Sequence, residues 1–256
     1  MLTWFRRTLG GGLMIGLAAT APAWASSPEG TPPAAPKAVI ELFTSQGCSS
    51  CPPADALAGR LAETKDVIVL TLPVDYWDYL GWKDTLAKPK FSARQRGYAQ
   101  TRGDSAIYTP QVVVNGREHV IGSDENAIDI AINRQVNRYH GLPVPVRVNL
   151  QDDAVIVDVG SSGGAATKGA TVWLATLDKR RSVPIKRGEN RGHTGTYYNV
   201  VESLQPIGMW KGKPERIELP RNEILEADPN KSCAVIVQVD QNGLPGAILG
   251  AAILPQ

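Results

Sequence analysis

Cysteine and histidine are scarce in this chain, which holds three residues of each among its 256. A four-cysteine zinc site is therefore excluded, and His119, His140 and His193 lack the close spacing of metal ligands. No apolar run reaches the roughly 20 residues that a membrane-spanning helix needs. The sequence predicts neither a metal site nor a cofactor, and no stable membrane insertion once its N-terminal segment is removed.

An excess of charge of either sign is also missing. The chain has 27 Lys and Arg residues against 25 Asp and Glu residues. Residues 1–25 hold two of the arginines and no acid, so the rest of the chain is formally neutral. This balance gives no indication of a nucleic-acid-binding surface.

Residues 1–25 do contain the pattern of an export signal. Arg6-Arg7 is followed by the apolar run Leu9–Ala21 and by Ala23-Trp24-Ala25, which fits an A-x-A cleavage site. An uncleaved membrane anchor is the alternative, although the apolar run is short. The paired arginines fit the general secretory route or a twin-arginine signal. We therefore expect a periplasmic or secreted protein, in which residues 26–36, rich in Pro, Ala and Ser, form a disordered linker.

Two of the three cysteines, Cys48 and Cys51, form a C-x-x-C motif. The motif follows the apolar run Ala38–Phe43 and precedes a helix-like stretch, Ala54–Glu63. In an oxidising compartment such a pair can persist as a disulfide, and one thiolate can attack a substrate while the other resolves the mixed disulfide. Alone the motif is a weak signal, because it also forms half of many zinc sites. With only Cys233 left over, the redox interpretation is favoured.

The segments around the cysteines alternate between strand-like and helix-like patterns. Val67–Val74 is typical of a buried parallel strand, and Asn115-Gly116 predicts a hairpin turn. Lys90–Arg102 predicts a surface helix, and Glu125–Tyr139 predicts a helix with an apolar stripe. The resulting order of strand, C-x-x-C, helix, strand, helix, two strands and helix is that of a thioredoxin-like α/β domain, which we assign to residues 37–141.

Beyond Gly141 the pattern changes to short strands separated by turn residues, and no helix is predicted from Val144 onward. This spacing predicts an all-β, sandwich-like domain over residues 142–256. Its predicted strands are Val144–Leu150, Ala154–Gly160, Thr171–Leu177, Thr196–Leu204, Arg216–Leu219, Ala234–Val239 and Ala247–Leu254.

Within the motif, we expect Cys48 to be the attacking thiol and Cys51 the buried resolving thiol. Because proline disfavours the α conformation in the residue before it, Pro52 and Pro53 predict that regular helix begins at Pro53, after a distorted turn over the motif. Asp55 would lie in the first helical turn, where its charge would partly cancel the field that acidifies the cysteines. We therefore expect the pKa of Cys48 to be only mildly lowered.

Two further elements are expected beside the cysteines. Thr109-Pro110 precedes the predicted hairpin, where thioredoxin-like folds carry a cis-proline opposite the cysteines; an ordinary trans proline is the alternative. Glu41 is an acid inside an apolar strand, and burying an acid is costly without a purpose. We predict that Glu41 either takes the proton of Cys51 during exchange or pairs with a basic side chain.

An aromatic segment that includes Tyr76, Trp77 and Trp82 is longer than its place between two elements requires. It predicts a cap over the cysteine site that binds substrate together with Thr109. Packing between the two domains is the alternative. Cys233 precedes an apolar strand and is expected to be a buried free thiol.

The segment Glu41–Asp55 reads ELFTSQGCSSCPPAD, and Val74–Asp78 and Tyr108–Gln111 are further distinctive stretches. So are Gly188–His193 and Tyr198–Val201 in the second half. Together they resemble a family of exported bacterial proteins of uncharacterised function with an N-terminal thioredoxin-like domain and a C-terminal β-domain. The resemblance covers essentially the whole chain after the export signal. It implies fold and family membership but no substrate.

The function predicted first is an exported thiol–disulfide oxidoreductase with Cys48, Cys51, Pro110 and Glu41 in its site, and protein or peptide thiols and disulfides as partners. A fully buried and unreactive Cys48 would count against it. The first alternative is a non-catalytic binding module whose cysteines form a structural disulfide. The second is a copper-handling protein, since paired cysteines bind Cu(I), although methionines near the pair are absent.

Overall fold

The computed structural model of the protein describes Met1 and residues 35–64, 66–161 and 169–255. The predicted export signal, residues 1–25, and most of the predicted linker, residues 26–36, therefore lie outside these ranges apart from Met1. Ala34–Gln256 form one compact unit. In the described part of the chain, no helix is both long enough and apolar enough to cross a membrane.

The unit contains four α-helices and eleven strands within the described residues. The helices are α1 (Pro52–Glu63), α2 (Pro89–Arg102), α3 (Glu125–Tyr139) and α4 (Arg221–Leu225). The strands are β1 (Ala38–Thr44), β2 (Val67–Pro73), β3 (Gln111–Val114), β4 (Glu118–Ile121), β5 (Val146–Gln151), β6 (Ala154–Val159), β7 (Ala170–Pro184), β8 (Thr194–Trp210), β9 (Glu215–Pro220), β10 (Lys231–Gln241) and β11 (Leu244–Ile253).

The architecture is mixed α/β, with one large mixed sheet and one small sheet. The large sheet has eight strands in the order β11-β10-β7-β8-β2-β1-β3-β4, and the small sheet has the order β5-β6-β9. β1 and β2 are parallel and buried along their whole length, as their apolar runs predict. The C-x-x-C turn follows β1, so it lies where the carboxyl ends of the parallel strands β1 and β2 meet.

The turn between β3 and β4 confirms the predicted hairpin. Asn115 and Gly116 have φ angles of 48° and 64°, and the N–H of Arg117 donates to the carbonyl of Val114 over 3.0 Å. Two positive φ angles in succession are what an Asn-Gly turn supplies. Asn115 also binds β1, because its Oδ1 accepts from the N–H of Val39 over 2.7 Å.

The predicted boundary at Gly141 divides the chain but not the large sheet, because β7, β8, β10 and β11 share that sheet with β1–β4. β8 pairs in parallel with β2 at Val200 and Thr71. One apolar cluster takes residues from both sides of Gly141, including Phe43, Leu72, Leu177 and Ile236. The two predicted segments therefore share both a sheet and a core.

A second apolar cluster fills the space between the small sheet and the large sheet. It contains Val155 and Val157 of the small sheet together with Val172, Leu174 and Val235 of the large one. From β6 the cluster takes every second residue, Val155, Val157 and Val159, as the two-residue period of a strand predicts.

Two helices differ from the predictions. α2 was expected at the surface, but Phe91, Gln95 and Tyr98 are buried, because one side of the helix packs against the large sheet. α4 was not predicted. It has five residues and buries Ile224 and Leu225. A helix of this length is too short for a helical period to be visible in the sequence.

Candidate functional site

The two cysteines of the motif form a disulfide, with the Cα atoms of Cys48 and Cys51 5.4 Å apart. The N–H of Cys51 donates to the carbonyl of Cys48 over 3.2 Å, which closes the turn between β1 and α1. α1 begins at Pro52, one residue earlier than predicted, and Cys51 is its N-cap. The motif forms a turn ahead of the regular helix, but not for the predicted reason, since Cys51 has helical angles of φ −79° and ψ −34° although a proline follows it.

Both cysteines are buried, whereas the two serines between them face solvent. Cys48 is 2% exposed and Cys51 is 0% exposed, while Ser49 and Ser50 are exposed. Burial of Cys51 was expected. Burial of Cys48 was not, and it is the observation in this site that favours a structural disulfide over an exchanging one.

Thr109, which precedes Pro110, lies beside the cysteine turn. The hydroxyl of Ser50 lies 3.4 Å from the Sγ of Cys48 and 3.5 Å from the carbonyl oxygen of Thr109, to which it donates. The peptide bond between Thr109 and Pro110 is cis. The segment after α2 and the cysteine turn therefore meet at Ser50.

The aromatic segment also contacts this turn, although its members do so differently. The indole N–H of Trp77 donates to the hydroxyl of Thr109 over 2.7 Å, and that of Trp82 donates to the Oε1 of Gln46 over 2.8 Å. Tyr76 packs against the apolar core instead. Tyr79 stacks on Trp77 with ring centroids 6.4 Å apart and is 77% exposed. Trp77 and Trp82 are thus brought to the site, and Tyr79 presents an aromatic surface next to them.

Glu41 forms a buried ion pair, which is the second of the two predicted alternatives. The Nε of Arg94 donates to Glu41 Oε1 over 2.7 Å, and the hydroxyl of Tyr98 donates to Oε2. The same guanidinium donates to the amide oxygen of Gln238 over 2.9 Å. Both oxygens of Glu41 are therefore occupied in a network that joins β1 to α2 and β10, and the predicted role of Glu41 in proton transfer has no contact to support it.

Asp55 is the buried acid that lies next to the cysteine turn. It is one helical turn after Cys51 on α1, and its N–H donates to the carbonyl of Cys51 over 3.1 Å. Its Oδ1 accepts from the hydroxyl of Thr44 over 2.7 Å. Burial raises the pKa of Asp55 to about 8, and nearby Asp84 contributes to the increase. The expectation that a charged Asp55 opposes acidification of the cysteines is therefore wrong, because this carboxyl group is mostly protonated at neutral pH.

Asp84 fixes the loop that precedes the cysteines. Its Oδ2 accepts from the N–H of Gln46 over 2.8 Å, and its Oδ1 accepts from the N–H groups of Leu86 and Ala87. Burial raises the pKa of Asp84 despite these three hydrogen bonds. Two acids with raised pKa values thus lie close to one another beneath the disulfide turn.

A polar groove of about 380 Å³ runs between α1 and β8 and gives solvent access to Asp55. Asp55, Asn190, His193 and Tyr197 are among the residues that line it. Burial raises the pKa of Tyr197, as do the carboxyl groups of Asp55 and Asp84. Asp55, the acid on the first turn of α1, therefore lines the same groove as His193 and Tyr197.

Asn190 connects the second half of the chain to the cysteine turn. Its amide nitrogen donates to the carbonyl of Cys48 over 2.8 Å and to the carbonyl of Gln46 over 3.0 Å. The residue is 6% exposed and lies in the connection between β7 and β8. The carbonyl of Cys48 therefore accepts from both Cys51 and Asn190, and the turn is held from two sides.

Asp55 and Asn190 were missed as site residues because their roles come from burial and from contacts distant in sequence. Asp55 was expected to be a charged first-turn acid, and Asn190 was noted only as part of the distinctive stretch Gly188–His193. Cys233 is a buried free thiol, as predicted, and burial raises its pKa to about 12. Among the described residues, no group of three or more His, Cys, Asp or Glu side chains could hold a metal ion.

Comparisons with known proteins place the chain in a family without an assigned activity. A family model described as a protein of unknown function (DUF1223) matches residues 39–238. No protein with a curated description matches the chain.

Two solved structures are similar to it. One is the X-ray crystal structure of a protein from Agrobacterium tumefaciens, 38% identical, with a TM-score of 0.77 over 86% of this chain and 95% of that one. The other is HBP35 of Porphyromonas gingivalis, 15% identical, with a TM-score of 0.57 over 86% of this chain and 74% of that one. At that identity the second likeness concerns the fold alone.

Proposed function

Because the chain belongs to the DUF1223 family of proteins of unknown function, its activity has to be argued from its own residues, and we propose that it is a thiol–disulfide oxidoreductase acting through Cys48 and Cys51. Residues 37–141 would be a thioredoxin-like domain, since their elements follow the order β1-α1-β2-α2-β3-β4-α3. The rest of the chain would form the β-domain that shapes the site.

The position of the disulfide carries this proposal. Cys48 and Cys51 form their bond at the start of α1, where the helix dipole favours a thiolate. Ser50 bridges Cys48 and the backbone of Thr109, so an approaching chain would meet serines, a backbone carbonyl and Trp77 around one disulfide. These are the groups that a peptide substrate needs to be held against a sulfur atom.

In the proposed reaction a substrate thiolate attacks the Sγ of Cys48. A new sulfur–sulfur bond forms, the Cys48–Cys51 bond breaks, and its electron pair leaves on Cys51 as a thiolate. A second substrate thiolate then attacks the substrate sulfur of the mixed disulfide and releases Cys48. The substrate dithiol is oxidised and the cysteine pair is reduced, and the reverse sequence of steps reduces a substrate disulfide.

Asp55 is the candidate for the proton-transfer role that the sequence had suggested for Glu41, because it lies one helical turn after Cys51 and its N–H donates to the Cys51 carbonyl. With a pKa of about 8, its carboxyl group can give a proton to the Cys51 thiolate at neutral pH and recover it in the reverse direction. The groove lined by Asn190, His193 and Tyr197 would then return that proton from solvent. A periplasmic or secreted location, proposed from the pattern of residues 1–25, would keep the pair oxidised between turnovers.

Trapping experiments test the order of attack. In a Cys233→Ala background, Cys51→Ser leaves Cys48 as the single cysteine of the chain, and Cys48→Ser leaves Cys51. We expect Cys51→Ser to accumulate a mixed disulfide with a peptide disulfide and Cys48→Ser to form at least about tenfold less. The measurement is the mass of the adduct after an acid quench. Equal trapping by the two variants would contradict the assignment of Cys48.

The second candidate is a non-catalytic binding module, and the 2% exposure of Cys48 favours it. A structural disulfide would have a reduction potential below about −300 mV, whereas exchanging pairs lie between about −120 and −270 mV. Equilibration of the protein with dithiothreitol mixtures, followed by alkylation, gives this value. A pair that resists reduction and traps no peptide would establish the binding module instead.

A further inference from the structure

The end of β7 and the segment that links it to β8 carry a local excess of positive charge. Residues 178–193, here called the basic hairpin, contain six basic residues against two acidic ones. The chain after residue 25 is formally balanced only as a whole, because outside the basic hairpin it has 19 basic against 23 acidic residues. The positive excess is therefore a property of this one surface element. Solvated charges are common on surfaces, and the significance of these depends on their partners and their position.

Three cations between Ile185 and His193, which form the tip of the hairpin, are exposed and have no acidic partner in the described part of the chain. Lys186, Arg187 and Arg191 are exposed, and none of them takes part in an ion pair between described residues. Arg181, by contrast, pairs with Asp178 at 2.7 Å. The one acid between the three cations is Glu189, so the tip keeps a net positive charge.

The tip of the hairpin, residues 185–193, is fixed against the cysteine turn. Its two ends are closed by hydrogen bonds of 2.9 Å, from the N–H of Ile185 to the carbonyl of His193 and from the N–H of Gly192 to the carbonyl of Ile185. Asn190 binds the carbonyl of Cys48 from within the tip. On its other side the tip meets the aromatic segment, since a Cβ at Gly188 would lie 3.0 Å from the Cβ of Trp82.

We propose that the hairpin tip, through Lys186, Arg187 and Arg191, docks an acidic segment of the protein whose thiols or disulfide exchange with Cys48 and Cys51. This inference rests on the proposed function and adds a substrate class to it. Because the tip is bonded to the cysteine turn, a segment held there lies next to the reacting sulfur. Like-charged partners would be repelled, so the tip would select substrates as well as attract them.

A protein partner fits these observations better than a lipid surface does. A basic loop that enters a membrane interface needs an exposed apolar anchor. The large apolar residue of the tip, Ile185, is 4% exposed and packs inward. The exposed groups beside the tip are instead the serines of the motif and Tyr79, which suit a polypeptide.

The test compares rates of exchange with charged model peptides. Two peptides with the same pair of cysteines are flanked by four glutamates or four lysines, and dithiothreitol serves as an uncharged dithiol. The proteins are the wild type, the reversal variant Lys186→Glu/Arg187→Glu/Arg191→Glu, and a matched control. The control is Lys211→Glu/Lys213→Glu/Arg221→Glu, which changes the net charge equally at exposed positions outside the hairpin.

We expect the wild type to oxidise the glutamate peptide about tenfold faster than the lysine peptide at low salt, and the preference to shrink in about 0.5 M salt. The reversal variant should invert the preference, and the control should keep it. All three proteins should react with dithiothreitol at similar rates.

An unchanged peptide preference in the reversal variant would overturn the inference while leaving the proposed function intact. If none of the proteins exchanges with dithiothreitol, the proposed function fails. A cysteine-free glutamate peptide then still tests the docking surface by fluorescence anisotropy, because only the reversal variant should lose its binding. Loss of binding to phosphatidylglycerol vesicles in the reversal variant, without a change in peptide preference or affinity, would overturn the proposal in favour of a lipid partner.

Discussion

Asp55 makes the stability of the protein depend on pH, and the direction follows from its raised pKa. The pKa is about 8 in the folded protein against an ordinary value of 3.8. Between these values the folded protein holds a proton that the unfolded chain has lost. The stability contributed by Asp55 is therefore complete below about pH 4 and is lost as the pH rises through 8, at up to about 1.4 kcal/mol per pH unit.

We therefore predict that Asp55→Asn removes this dependence. An amide cannot ionise, and its oxygen can still accept from Thr44. The free energy of unfolding of the wild type should fall more steeply between about pH 5 and about pH 8 than that of the variant, as measured by urea titration. Asp129→Asn, at an exposed position of α3, is the control and should follow the wild type. Parallel pH profiles of the wild type and Asp55→Asn would show that the buried acid is ionised.

The ion pair of Arg94 and Glu41 gives a second prediction at the scale of single residues. Their side chains are 8% and 0% exposed, so loss of one partner leaves the other charge buried. Arg94→Met should lower the free energy of unfolding by about 3–5 kcal/mol, and adding Glu41→Gln should restore part of that loss. Arg60→Met is the matched control, because the side chains of Arg60 and Glu125 are 61% and 55% exposed. This substitution should lower the free energy of unfolding by at most about 1 kcal/mol.

A double-mutant cycle in urea measures the coupling between Arg94 and Glu41 directly. The prediction would be wrong if Arg94→Met cost no more than Arg60→Met. That result would mean that the network with Tyr98 and Gln238 is dispensable for the contact between α2 and the sheet.

The residues of the cysteine site differ in how far the sequence could reveal them. Cys48, Cys51 and Thr109-Pro110 could be found because their chemistry or their position before a strand is a local pattern. Asp55 and Asn190 could not be found in this way. The raised pKa of Asp55 comes from burial, and the hydrogen bond from the Asn190 amide to the Cys48 carbonyl joins positions more than 140 residues apart. Glu41 was correctly identified as unusual, but only the fold shows that Arg94 lies opposite it.

At the scale of elements, Gly59 allows α1 to approach the Tyr198 ring of β8 closely. A Cβ at this position would lie 2.5 Å from the Cε2 of Tyr198, which is closer than real contacts. An exposed helix interior normally gains about 1 kcal/mol when glycine is replaced by alanine. Here the steric overlap should outweigh that gain.

We predict that Gly59→Ala destabilises the protein by about 1–3 kcal/mol in urea unfolding. In a Tyr198→Ala background the ring is gone, and the same substitution should stabilise by about 1 kcal/mol. This reversal of sign separates packing from helix propensity. Stabilisation in both backgrounds would show that Tyr198 moves aside freely and that α1 and β8 are not tightly packed.

The strands of the second half show how far an alternation pattern can predict an element. β7 and β8 are 15 and 17 residues long, whereas the predicted strands there were Thr171–Leu177 and Thr196–Leu204. The missed ends of β7 are basic and polar and leave both faces partly in water, so they carry no apolar alternation. The last residues of β7 form a strand because they pair with the first residues of β8, from Arg180 opposite Tyr198 to Pro184 opposite Thr194.

At the scale of the whole molecule, contacts cross the predicted domain boundary at several places. The N–H of Ile248 donates to the carbonyl of Asn115 over 2.9 Å, and the hydroxyl of Thr71 donates to the carbonyl of Tyr198 over 2.6 Å. The large sheet also takes strands from both sides of Gly141. Separation of the two segments would expose apolar surface that neither segment can cover alone.

The chain should therefore unfold in one cooperative transition. In a protein without residues 1–25 that carries Trp173→Phe and Trp210→Phe, the fluorescence of Trp77 and Trp82 reports on the first half. The buried thiol of Cys233 reports on the second half by its reactivity towards a thiol reagent. Because the disulfide of Cys48 and Cys51 leaves Cys233 as the free thiol, its labelling reports opening of β10. We expect the urea midpoints of the two signals to coincide, since a shared core makes opening of one half costly to the other. Labelling of Cys233 at clearly lower urea than the fluorescence change would instead mean that residues 142–256 unfold as an independent domain.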